Sequence, residues 1–283
     1  MCNKQESRRI FLKGVVGACA ASALIPTSAQ AQENKSLQVW SCGGLAEAMH
    51  PAHLAFEAET GVHIYYTGAF AGVLGKSLLA GTSETDVFCG RVLALAKNLR
   101  KAGRMRNFKP LCFTSYLIAV PKGNPKKITC LEDLTKPGVR VAMAPNASPP
   151  GGQAVMGILK AANLQKEVMK NVLDKQASCI QRTVTEVCSG NADAMIVERR
   201  ITRMDRFAPF LDFVEIPEKF FPQGPLTFTI GIMQNCTNQE LAEQYRTWML
   251  SQKGQKFFEQ AGFISSISPE GQALITKLGV YDD

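Results

Sequence analysis

Two short strings carry the side chains with the most chemistry. Val39-Trp40-Ser41-Cys42-Gly43-Gly44-Leu45 and Asp86-Val87-Phe88-Cys89-Gly90 each end an apolar run on a cysteine followed by glycine. A thiol at the mouth of a helix has a lowered pKa and becomes a better nucleophile or soft-metal ligand. Cys112 lies at the head of the long apolar segment that leads onward from the first set of strands, and Cys179 just before a helix. Cys42, Cys89, Cys112 and Cys179, with one carboxylate, would suit a soft cation or a thiophilic metalloid. Two plainer readings outweigh that one. Neighbouring strands bring Cα atoms within about 5–6 Å, so Cys42 and Cys89 could form a disulfide, and a cysteine can also be a small buried hydrophobe. Cys130, Cys188 and Cys236 have no place in either argument, and no C-x-x-C occurs.

Backbone groups offer a second chemistry. Helices should begin at Cys42–Leu45, Ala71–Val73, Pro149–Gln153 and Ser178–Gln181. The first N–H groups of a helix have no partner inside it, and its dipole favours an anion there. Glycines at 43, 44, 72, 151 and 152 let a ligand approach the chain closely. The run Glu198-Arg199-Arg200-Ile201-Thr202-Arg203 reads as a solvated face, but Arg199 or Arg200 turned inward would supply a bidentate donor for an anion. His50 and His53 fall off the apolar face of their helix and should be exposed; His63 lies in a strand. No Ser-His-Asp order, G-x-S-x-G or P-loop is present, and no histidine is placed to activate Cys42, so the chain is not expected to be an enzyme or to need a cofactor.

These residues need strands and helices to hold them. Strands are expected at 37–41, 62–66, 86–88, 139–142, 194–197 and 226–233, with a long apolar run over 111–120. Helices are expected at 45–60, bent at Pro51, and at 72–80, 152–162, 180–189 and 239–260, with a short turn at 131–134. The alternation argues for an α/β fold with mainly parallel strands. Ser251-x-x-Gly254-Gln255 recurs as Ser268-x-x-Gly271-Gln272, which reads as two similar helix ends.

The chain opens with an export signal. Ser7-Arg8-Arg9-Ile10-Phe11-Leu12-Lys13 is a twin-arginine signature, Gly14 to Ile25 an apolar run too short to cross a bilayer, and Ala29-Gln30-Ala31 a cleavage site. Cys19 invites a lipoprotein reading, set aside because the apolar run continues past it. Loss of residues 1–31 lowers the net charge from +8 to +5 and leaves about 250 residues. That charge suits an anionic ligand and is too diffuse for nucleic acid. Seven cysteines remain, an odd number for a protein exported to an oxidising compartment.

Several strings in order carry a resemblance: Phe56-Glu-Ala-Glu-Thr-Gly-Val62, Gly72-Val-Leu-Gly-Lys-Ser-Leu-Leu-Ala-Gly81, Thr85-Asp-Val-Phe88, Gly190-Asn-Ala-Asp-Ala-Met-Ile-Val197 and Leu250-Ser-Gln-Lys-Gly-Gln-Lys-Phe-Phe-Glu-Gln-Ala-Gly-Phe263. Together they resemble the periplasmic molybdate-binding proteins of bacterial ABC importers. The resemblance implies two α/β lobes joined by two crossovers, with a ligand between them and closure by a hinge. Lobe 1 would comprise 36–112 plus 224–283, and lobe 2 113–223. It further implies a monomer that serves an inner-membrane permease. The site would draw on Ser41, Cys42, Gly43, Gly44, Ala71, Gly72, Gly151, Cys179, Ile180 and Glu198. The family places a serine where Gly44 stands, another near Ala71–Gly72, backbone amides near Pro150 and near Cys179–Ile180, and a tyrosine where Glu198 stands. This chain departs at nearly all of them. The expected ligand is therefore a small oxyanion, with thiolate-held metal as the alternative and a periplasmic sensor or thiol-dependent enzyme on the same scaffold as a third reading.

Overall fold

A computed structural model describes residues 35–282, so the expected export signal lies outside the described residues. Two sheets organise these residues. The larger has six strands in the order β2 (His63–Ala69), β1 (Ser36–Cys42), β3 (Val87–Arg91), β8 (Thr227–Met233), β4 (Met105–Phe113), β9 (Ile264–Ser265), the smaller three in the order β6 (Met195–Glu198), β5 (Tyr116–Pro121), β7 (Leu211–Glu215). The chain is the α/β protein its alternation suggests.

The first sheet starts with β1 (Ser36–Cys42), whose alternate residues Leu37 and Val39 point into the core. Helix α1 (Ala46–Thr60) follows a single 3-10 turn at Gly43–Leu45 and runs unbroken through Pro51. It stops at Gly61, whose φ of 70° suits glycine and whose N–H bonds the Glu57 carbonyl. β2 (His63–Ala69), α2 (Ala71–Ala80), β3 (Val87–Arg91), α3 (Leu93–Lys101) and β4 (Met105–Phe113) complete this half. β1 pairs in parallel with both β2 and β3.

The long apolar run at 111–120 is two strands. β4 ends at Phe113, and β5 (Tyr116–Pro121) joins the other sheet after Thr114 and Ser115. Helices α4 (Gly151–Ala161), α5 (Gln165–Asn171) and α6 (Ile180–Cys188) follow, then β6 (Met195–Glu198) and β7 (Leu211–Glu215). β8 (Thr227–Met233) returns to the first sheet and pairs antiparallel with β3 and β4. The Thr114 N–H bonds the Leu226 carbonyl at 2.9 Å, which ties the two crossovers together.

Strand direction differs from the expectation of mainly parallel sheets. β5 pairs antiparallel with β6 and β7, and β8 and β9 (Ile264–Ser265) add antiparallel pairs to the first sheet. Alternation counts elements but does not reveal that strands entering from a crossover run against their neighbours. The expected strand at 139–142 is reduced to isolated parallel bridges from Val141 to Val172 and Ala194.

The expected helix at 239–260 is also divided. α7 (Gln239–Met249) ends, and α8 (Gln252–Gln260) starts anew at Ser251, whose side chain accepts the Gly254 N–H. Ser268 accepts the Gly271 N–H in the same way and starts α9 (Pro269–Leu278). The sequence echo is thus a repeated helix start. Gln255 and Gln272 each donate back to a carbonyl just upstream of their cap, at Met249 and Ser266.

Candidate functional site

Four charged side chains from elements of the two sheets meet in one cluster. Arg91 ends β3, Glu198 ends β6, Arg200 lies two residues beyond it, and Glu47 lies in the first turn of α1. The Arg91 Nη2 stands 2.5 Å from Oε1 of Glu198, and the Arg200 Nε donates to its Oε2 at 2.8 Å. Tyr116, opposite Glu198 in the β5–β6 register, accepts from the Arg91 Nη2 at 3.0 Å. The Arg200 Nη1 reaches a Glu47 oxygen at 3.4 Å. Arg91 and Glu198 are about 5% exposed, so both would be costly to bury unpaired.

The electrostatics follow from that packing. Burial alone would raise the Glu198 pKa, but the positive charges of Arg91 and Arg200 override it and hold the carboxyl at about 2. Burial pushes Arg91 the other way, and the Glu198 charge reverses that and raises it. Glu198 is therefore a carboxylate at neutral pH, and with Glu47 the cluster sets two carboxylates against two guanidiniums.

Arg200 also forms the wall between two cavities. The inner one, about 20 Å³, is lined by Tyr116, Gly151, Ile180, Glu198 and Arg200 among mostly apolar neighbours. The outer one, about 490 Å³, is lined by Glu47, Arg200, Arg203, Arg206 and Phe257. Among the described residues the Arg200 Nη2 has no hydrogen-bond partner. It packs against Gly44, where an added Cβ would stand 3.5 Å from it. Arg200 has thus turned inward, while Arg199 turns away to Ser115 and Glu215.

The sequence-derived site residues are not brought together as one set. Gly151, Ile180 and Glu198 share the inner cavity, with Gly44 beside Arg200. Ser41 and Cys42 are committed elsewhere. The Ser41 hydroxyl donates to the Cys42 carbonyl and lies 2.6 Å from the Tyr66 hydroxyl, and the Cys42 thiol interacts with the Gly44 N–H. The Gly151 N–H is likewise spent, on the Ser148 carbonyl. Gly43 packs near the Ala69 carbonyl. Ala71 and Gly72 open α2, where an added Cβ at Gly72 would meet nothing within 4 Å. Cys179 caps α6 but is exposed and lines a separate cavity with Arg182.

The cysteine readings need correcting. All seven cysteines among the described residues are free, so no disulfide joins Cys42 to Cys89. Among the described residues no group of three or more His, Cys, Asp or Glu side chains could hold a metal ion. Burial pushes the Cys42, Cys89 and Cys112 thiols up, away from the thiolate a metal would require. His53 is also corrected: it is buried, and its Nε2 lies 2.8 Å from the Tyr245 hydroxyl. Arg91 and Tyr116 were missed because the expected third strand ended at Phe88 and the expected crossover was not resolved into its two strands.

Two sheets, paired crossovers and a charged cleft between them define a solute-binding protein. The profile of the bacterial extracellular solute-binding proteins matches residues 37–264, and the chain belongs to that family. The molybdate-binding protein ModA of Mycobacterium tuberculosis is 26% identical over 255 residues, covering 88% of this chain and 93% of that one. Among solved structures, the substrate-binding domain of a putative molybdenum ABC transporter from Clostridium difficile superposes with a TM-score of 0.70 at 21% identity, covering 81% of this chain and 98% of that one. The periplasmic molybdate-binding protein of Azotobacter vinelandii gives 0.63 at 16% identity, with the same coverage. At those identities the two structures speak for the fold.

Proposed function

We propose that this chain is the solute-capturing component of an ABC importer, and that its solute is a small tetrahedral oxyanion of the molybdate and tungstate kind. The observation that carries the reading is Arg200: a guanidinium oriented by a buried carboxylate, with one nitrogen left unpaired among the described residues, at the wall of the outer cavity. A guanidinium presents a rigid fork of donors that matches an oxyanion and is more weakly hydrated than an ammonium. It replaces the neutral hydroxyls the family uses. Amides at the starts of α2 and α6 would add donors from both sides, through Ala71, Gly72 and Ile180. Glu198 then acts by holding Arg200, not by touching the anion.

The named relative supports this reading, and so does the twin-arginine signature, which implies export of a folded chain to the periplasm. We take lobe 1 as 36–112 plus 224–283 and lobe 2 as 113–223, with a permease as partner and the chain a monomer. Titration calorimetry and thermal unfolding with molybdate, tungstate, sulfate and phosphate test it. A bound oxyanion at a hundredfold excess over Kd stabilises by about 2.7 kcal/mol. Arg200→Ala should abolish that gain. Stabilisation by none of the four anions, or an undiminished gain in Arg200→Ala, refutes the reading.

A further inference from the structure

The inner cavity, about 20 Å³, has room for roughly one water molecule. A tetrahedral oxyanion is larger, and the lining of that cavity comes from residues 116–201 alone. The solute would therefore meet Arg200 from the outer cavity of about 490 Å³, which Glu47 and Phe257 line from one side and Arg200, Arg203 and Arg206 from the other. The charged contacts beside Arg200 alternate between the lobes. Arg91 and Glu47 come from the side of the six-stranded sheet, Glu198 and Arg200 from the side of the three-stranded sheet. Of the three ion pairs in the chain Arg91–Glu198–Arg200–Glu47, the first and last cross the cleft.

The two crossing pairs differ. Arg91–Glu198 is buried on both sides. Glu47 is 35% exposed and lines the outer cavity. Its carboxylate sits in the first turn of α1, where helix geometry favours a negative charge, and on the guanidinium best placed to meet an anion. It satisfies both anion-attracting features of this part of the cleft.

We propose that Glu47 is a built-in stand-in for the anionic solute: it occupies Arg200 in the empty protein, holds the lobes together, and is displaced when the solute arrives. The idea rests on the oxyanion reading for its effect on affinity, and on geometry alone for its effect on closure. Displacement sets the affinity, because the incoming anion must compete with a carboxylate already in place.

Small-angle X-ray scattering of the ligand-free protein, with molybdate calorimetry, tests the proposal on wild type, Glu47→Gln and Glu59→Gln. Glu59 lies at the far end of α1, paired with Lys253, so its variant removes the same charge away from the cleft. The expected result is a larger radius of gyration in ligand-free Glu47→Gln. Molybdate binding in that variant should tighten about two- to fivefold, the range a partly exposed ion pair is worth. Glu59→Gln should match wild type in both. An unchanged radius in Glu47→Gln overturns the proposal whatever the titration gives. A larger radius with weaker or unchanged binding overturns it too, since Glu47 would then not compete with the anion. If neither wild type nor variant binds molybdate, the oxyanion reading loses that anion, and the radius alone decides whether Glu47 closes the cleft.

Discussion

His53 shows how one side chain sets the acid sensitivity of a lobe. It is buried against Tyr66 and Tyr245, and burial first, then the neighbouring His50, lowers its pKa from 6.5 to about 4. In the unfolded chain it takes up a proton near pH 6.5, while in the folded chain it resists until about pH 4. The unfolded state therefore binds more protons across that window, and stability falls as pH drops from about 6.5 to about 4. The loss should be on the order of 3 kcal/mol. Urea unfolding at pH 7 and pH 4.5 measures it, and His53→Gln should remove most of the difference. The cysteines make a second residue-scale prediction. Of the seven cysteines among the described residues, Cys179 is the exposed one, so a thiol reagent should label Cys179 quickly in the native protein and reach Cys42, Cys89 and Cys112 only on unfolding. Rapid native labelling of Cys42 would contradict its burial.

Among the elements, the C-terminal helices show which signals were legible. Ser268 accepts the Gly271 N–H at 3.0 Å, so Ser268→Ala should cost about 1 kcal/mol in chemical denaturation, as loss of an N-cap does. Gly262 is more constrained. Its φ is 86°, and an added Cβ would stand 2.8 Å from the Arg203 Cγ and 3.0 Å from the Arg200 Cα. Gly262→Ala should therefore destabilise by more than the cap variant and weaken oxyanion binding, because it pushes on the backbone that carries Arg200. Helix starts and strand cores could be read ahead because caps, glycine stops and apolar periodicity are local. The division of 239–260 at Ser251 was hidden because both halves carry a helical pattern. The break after Phe113 was hidden because Thr114 and Ser115 interrupt a run that is apolar on both sides. The site was legible only in part, for a related reason. Glycines and helix mouths can be found by spacing, but Arg91 meets Glu198 only after the chain has crossed from one sheet to the other.

At the scale of the whole molecule, the Arg91–Glu198 pair is a buried joint between the lobes, and removing one half should be worse than removing both. Glu198→Gln would leave two guanidiniums facing an uncharged amide, with Arg91 about 95% buried. Breaking a buried pair from one side typically costs about 3–5 kcal/mol, whereas apolar replacement of both partners is often close to neutral. Arg91→Met combined with Glu198→Met should thus retain more stability than Glu198→Gln, though without a carboxylate to orient Arg200 it should lose the oxyanion. The pair also fixes a second acid window, distinct from that of His53. The folded Glu198 stays ionised down to about pH 2, below the ordinary carboxyl value of 4.5. The stabilisation it brings is fully present above about 4.5 and disappears as pH falls towards 2. Unfolding curves for wild type should therefore lose stability in two stages, and His53→Gln should erase the upper one alone. Glu198→Gln should erase the lower. If the lower stage survives in Glu198→Gln, other carboxylates carry it, and the lobes are joined by something other than this pair.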